Sequence, residues 1–160
     1  MNSEKTKLRR YENDLYVSGT GVIILGAWSM IKSFMEILLS PESYWDIEAE
    51  DPAGRIFLIV FIAICILAFL SILMTMHIYV GLNAARAARG MKHRKGYVAG
   101  AIIMLVVTLL SFSAYTDNDP NDLDTTIASF FVDLTTLYVF GAVILSSFRI
   151  RKLKEKQVQE

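Results

Sequence analysis

Charged residues are nearly absent from four long stretches of this 160-residue chain. The stretches run from residue 15 to 40, 56 to 80, 96 to 116 and 125 to 148. Each has at least ~20 residues, which at ~1.5 Å per helical residue is enough to cross a hydrocarbon core of ~30 Å. The sequence therefore predicts an all-α membrane protein with four transmembrane helices.

Cysteine and histidine are also scarce. Cys65 is the only cysteine and lies inside the second predicted span, which excludes a disulfide within the chain and a multi-cysteine metal site. His77 and His93 lack further ligands at helical spacing, so neither a zinc nor a haem site is predicted. Asp117 begins an acidic run that resembles a calcium-binding loop, but its sixth residue is Asp122 instead of the required glycine. We expect no metal and no cofactor.

Catalytic signatures are missing as well. The chain has no Ser-His-Asp set, no phosphate-binding glycine loop, no dinucleotide fingerprint and no suitably placed pair of catalytic carboxylates. Four predicted spans take up most of the 160 residues, and we expect no separate soluble domain among them. We therefore expect a protein that is not an enzyme and predict no catalytic residue.

The charges between the spans are sorted by sign. Apart from Lys32 and Arg55, every lysine and arginine lies in the N-terminal tail, the second connection or the C-terminal tail. The first and third connections are acidic. The positive-inside bias then places both termini and residues 86–95 in the cytoplasm, and we expect the plasma membrane. Because all connections are short, residues 1–160 should form one up-down-up-down bundle in which spans one and four are neighbours.

The second predicted helix continues beyond the membrane. Residues 82–89 are rich in strong helix formers and Gly90 is a natural C-terminal cap, so we expect one helix from about residue 56 to about residue 89. The polar residues 1–14 are expected to form an amphipathic or disordered arm at the inner surface. Gly96 and Gly100 have the spacing that lets helices approach closely, either within the bundle or between copies.

The basic second connection is predicted to contact anionic lipid head groups, at about 1 kcal/mol per charge near the surface. Nucleic acid is not an expected partner, because the inner leaflet already occupies these juxtamembrane segments. The predicted lipid contacts are Arg86, Arg89, Lys92, Arg94 and Lys95.

Ionisable residues within spans are costly and are candidates for function. Lys32 in span one and Asp133 in span four lie at similar depths in the outer half, so an ion pair would remove two unpaired charges from a low dielectric. Glu36 lies one turn from Lys32. Together with Tyr138, these residues form a predicted intramembrane polar cluster. It acts either as a clasp that fixes helix register or as a vestibule for a solute, ion or proton.

The leading hypothesis is a small non-enzymatic integral membrane protein that acts as a subunit, scaffold or partner-binding component of a membrane assembly. Its expected partner is another membrane protein or a second copy of the chain. The alternative is a small oligomeric transporter or channel that uses the polar cluster. Four-span architecture occurs in unrelated proteins, so it does not by itself identify a function.

Overall fold

The computed structural model describes residues 2–39, 51–112 and 123–159. These residues form four helices: α1 (Asn2–Leu39), α2 (Pro52–Ala88), α3 (Tyr97–Ser111) and α4 (Leu123–Gln159). The predicted all-α four-helix bundle is confirmed. The acidic runs at residues 42–50 and 117–122 lie outside the described residues.

Three of the four helices are long and apolar enough to cross a membrane. They are Glu4–Met35 within α1, Pro52–Ala88, and Phe130–Lys156 within α4. The third helix has 15 residues and is shorter than the predicted third span. Three such helices indicate a multi-pass membrane protein.

Of the two forms expected for the N-terminal arm, the disordered one is wrong. Residues 2–14 are helical and continuous with the apolar part of α1. Contacts with α4 explain this: Glu12 Oε1 lies 3.3 Å from Lys154 Nζ, and the Tyr11 ring lies 5.2 Å from Arg149 Cζ. Leu15, at 1% exposure, is buried at the end of the same segment. Tertiary contacts therefore stabilise a helix that a polar sequence alone does not specify.

The second helix has clear signals at both ends. The Gly54 N–H donates to Asp51 Oδ2 at 3.4 Å, which caps the N-terminus. At the other end Gly90 has φ +68° and the Met91 N–H donates to the Arg86 carbonyl at 2.9 Å, the pattern of a Schellman motif. The predicted glycine cap and the single helix ending near residue 89 are confirmed.

The described residues divide into two compact units. The first, which we call the basic unit, holds residues up to Leu25 and from Met76 onward, and so includes parts of all four helices. The second, which we call the apolar unit, is Gly26–Thr75 and holds the remaining parts of α1 and α2. Most of the buried core belongs to the basic unit. Its largest fully buried side chains are Phe140, Leu15, Val22, Val80 and Val143.

In the basic unit, α1 and α2 approach each other most closely at two glycines. A Cβ built on Gly81 would lie 2.5 Å from the Gly19 carbonyl oxygen and 2.5 Å from Ile23 Cγ1. A Cβ on Gly19 would lie 2.9 Å from the Gly81 carbonyl oxygen. Neither site has room for a methyl group, so the two backbones are in direct contact.

The Gly96 and Gly100 pair also faces α2 of the same chain. A Cβ on Gly96 would lie 3.1 Å from the Tyr79 hydroxyl, and one on Gly100 would lie 3.0 Å from Val80 Cγ2. Of the two interpretations offered for this spacing, close packing within the bundle is therefore confirmed. Small residues thus bring α2 close to both of its chain neighbours.

Alanine substitution separates the tight glycine contact from ordinary helix propensity. We expect Gly81→Ala to lower the free energy of unfolding by about 1–3 kcal/mol, because its methyl group meets backbone that cannot move aside. Gly141→Ala is the matched control, since a Cβ there meets nothing within 4 Å. It should be neutral or stabilising by up to about 1 kcal/mol. Equal unfolding midpoints for the two variants in detergent would contradict the packing described here.

Candidate functional site

Basic residues from the end of α2 and from α4 meet two tyrosines and a carboxylate of α1 at one end of the basic unit, which we call the basic end. Arg89 Nη2 donates to the Tyr16 hydroxyl at 2.6 Å, and its Cζ lies 4.4 Å from the Tyr16 ring centroid. Arg149 Cζ lies over the Tyr11 ring at 5.2 Å. Each cation–π contact at such an exposed site stabilises by about 0.5–1 kcal/mol. These contacts tie α1 to the ends of α2 and α4.

The loop between α2 and α3 is held by one buried amide. Asn83 is 6% exposed; its Oδ1 accepts the Arg94 N–H at 2.9 Å and its Nδ2 donates to the Tyr79 carbonyl at 2.7 Å. Sequence reasoning treated Asn83 only as part of a helical extension. Asparagine is a poor helix former whose side chain tends to bond to nearby backbone groups. This property is the one feature of the sequence that could have indicated the role of Asn83.

The five predicted lipid-contact residues all lie at the basic end and are exposed, as contact with head groups requires. Their contact with lipid stays a prediction. Arg89 also has a second role, because it is bound to Tyr16. The set is Arg86, Arg89, Lys92, Arg94 and Lys95.

A groove of about 820 Å³ opens beside this loop, between residues of α1, α2, α3 and α4. The Tyr97 hydroxyl and Ser147 Oγ form a 2.9 Å hydrogen bond in its wall. Sequence reasoning missed the groove, because its lining comes from four distant parts of the chain. Its apolar lining is Leu15, Ala87, Val98, Phe148 and Ile150, and its ionisable rim is His93, Lys95, Arg151, Lys154 and Glu155.

The predicted intramembrane polar cluster is divided between the two units. Lys32 is half-buried in the apolar unit, and Asp133 is half-buried in the basic unit. The side chain of Glu36 lies outside the part of the structure that is described. Tyr138 is 76% exposed on α4. The pairing of Lys32 with Asp133 stays a prediction.

The apolar unit has a different character from the basic end. Between residues 56 and 69 of α2 no residue is fully buried, and one stripe that includes Ile59, Ile62 and Ile66 is half-buried. Phe57 and Phe61, one turn apart, stack with ring centroids at 6.4 Å, and Phe61 and Ile64 are 56% and 60% exposed. Among the described residues, the face of α2 that carries these side chains is therefore exposed.

The histidines pack against aromatic rings. His77 lies 5.6 Å from Phe140 and His93 lies 5.8 Å from Tyr97, measured between ring centroids. Within the described residues, no three His, Cys, Asp or Glu side chains are grouped closely enough to hold a metal ion.

Comparisons with known proteins identify no relative. The chain matches no family model, and it has no significant match among curated proteins or solved structures. Function must therefore be inferred from the residues of this chain alone.

The Asn83 contact can be tested in the loop that it holds. We expect Asn83→Ala to destabilise the protein by about 1–3 kcal/mol, although alanine is the better helix former, because the Arg94 N–H loses its acceptor. Hydrogen exchange of the Arg94 amide should become faster. Thr20→Ala is the control, since Thr20 Oγ1 bonds only to a carbonyl of its own helix, at Tyr16. Unchanged Arg94 exchange in Asn83→Ala would show that the side chain does not hold the loop.

Proposed function

We propose that this protein is a small non-enzymatic integral membrane protein that works as a partner-binding subunit of a membrane assembly. In this proposal α3 also crosses the membrane, which brings the number of transmembrane helices to four. Both termini and the α2–α3 loop are cytoplasmic. The membrane is the plasma membrane. The proposal has two parts, the topology and the partner, and separate observations support them.

The distribution of basic residues supports the topology. The basic segments of α1, the α2–α3 loop and α4 meet at one end of the basic unit, as a single cytoplasmic face requires. The 15 residues of α3 extend about 22 Å, less than the ~30 Å of hydrocarbon. Residues 113–116 add four uncharged positions to this stretch of the sequence.

The exposed apolar face of α2 is the observation that carries the partner proposal. A helix in a bundle normally buries a stripe of its surface against its neighbours. Between residues 56 and 69 one stripe of α2 is only half-buried and the face that carries Phe57 and Phe61 is exposed, although the same helix is tightly packed where it passes Gly19 and Gly100. Helix association in a bilayer is driven by van der Waals packing, and the stacked Phe57 and Phe61 rings offer a broad contact surface.

The transport alternative depends on polar groups that converge inside the bundle. Tyr138 is 76% exposed and Thr135 is exposed, so both lie on the outer surface of α4. Thr136 is buried, but its Oγ1 donates to the Val132 carbonyl of its own helix at 2.8 Å. These three residues give the vestibule no support, and the partner-binding subunit is the better-supported proposal.

Site-specific photo-crosslinking in intact membranes tests the partner. We expect a photoreactive residue at Phe61 to give one discrete protein adduct, because that side chain faces a partner helix. The matched control is Leu145 on α4, which is 57% exposed against 56% for Phe61. A photoreactive residue at position 145 should give lipid adducts. The mass of the protein adduct formed at position 61 would show whether the partner is a second copy of the chain or a different protein. Lipid adducts alone at Phe61 would contradict the proposal.

A further inference from the structure

The groove at the basic end is amphipathic. Its inner lining is apolar and includes Leu15, Ala87 and Ile150, while Lys95, Arg151 and Lys154 stand at its rim. A soluble anion would contact only the charged rim. A molecule that joins an anionic group to an apolar chain would contact both the rim and the apolar lining.

The rim retains positive charge after its internal ion pairs are counted. Arg151 binds Glu155 through Nε at 2.9 Å, which leaves the two terminal nitrogens of the guanidinium outside this bond. Lys154 Nζ is paired with Glu12 at 3.3 Å. Lys95 makes no ion pair with the residues that the structure describes. The Lys95 ammonium group and the two terminal guanidinium nitrogens of Arg151 are therefore the groups that can bind an anionic ligand.

The start of α3 adds to this charge. Gly96, the N-cap, supplies no side chain to the helix terminus, and Val98 in the first turn lines the groove. The Tyr97 N–H already donates to the Arg94 carbonyl at 3.4 Å, so it is the later N–H groups of the first turn and the helix dipole that favour an anion at this position. The N-terminus of α3 and the cations at the rim of the groove therefore both favour the binding of an anion.

We propose that this groove binds the head-group phosphate of an anionic phospholipid from the cytoplasmic leaflet, with the upper part of an acyl chain on the apolar lining. Lys95 and Arg151 contact the phosphate. The proposal depends on the topology given under the proposed function, which places the groove at head-group level. It does not depend on the protein partner, so either can fail without the other.

Lipid binding to the purified full-length protein in a non-ionic detergent, followed by native mass spectrometry, tests the proposal. Phosphatidylglycerol and phosphatidylcholine are the probes. We expect the wild type to prefer phosphatidylglycerol. Lys95→Gln with Arg151→Gln should reduce that preference about 25-fold, since each charge near the surface contributes about fivefold. Lys95→Gln alone should reduce the preference for phosphatidylglycerol about fivefold. This single variant replaces the double variant in the test if the double variant does not fold.

The matched control is Lys152→Gln with Lys156→Gln, which removes the same charge from exposed residues that neither line the groove nor belong to the predicted lipid contacts. It should keep the wild-type preference. Equal losses in the two double variants would show general attraction to basic residues and overturn the site. Displacement of phosphatidylglycerol by millimolar inorganic phosphate would assign the groove to a soluble phosphate and overturn the lipid proposal.

Discussion

The cost of placing charge in hydrocarbon is the constraint on which this molecule depends. It keeps nearly all charged residues out of the apolar parts of the three helices that are long enough to cross a membrane, and the backbone there must be helical to satisfy its own hydrogen bonds. It also collects the basic residues where the helices end. The fold, the contacts at the basic end and the groove there all follow from this sorting.

Within that constraint, close backbone contact and cation–π pairs shape the basic unit. Gly19 and Gly81 bring α1 against α2, and Arg89 reaches the Tyr16 ring from the end of α2. Between residues 56 and 69 of α2, in the apolar unit, the described residues are half-buried or exposed and none is fully buried. One helix therefore packs tightly at its basic end and has an exposed apolar face further along.

The sequence predicted the features that depend on local pattern. The helical class and the continuous α2 ending at Gly90 follow from hydropathy and capping, which need only neighbouring residues. The contact between Gly19 and Gly81 and the groove depend on residues far apart in sequence, and no periodicity indicates them. The choice between a disordered and an amphipathic N-terminal arm stayed open for the same reason, because contacts with α4 stabilise the helical start of α1.

The central claim is a four-span chain with its basic end in the cytoplasm, and cysteine accessibility in intact cells tests it most directly. Single cysteines would be placed at Ser3, Met91, Gln159 and Asn118 in a Cys65→Ala background, and an impermeant thiol reagent applied from outside. The account predicts that only the cysteine at position 118 reacts before the membrane is opened, and that the other three react afterwards. Labelling at position 91 in intact cells would contradict the four-span topology.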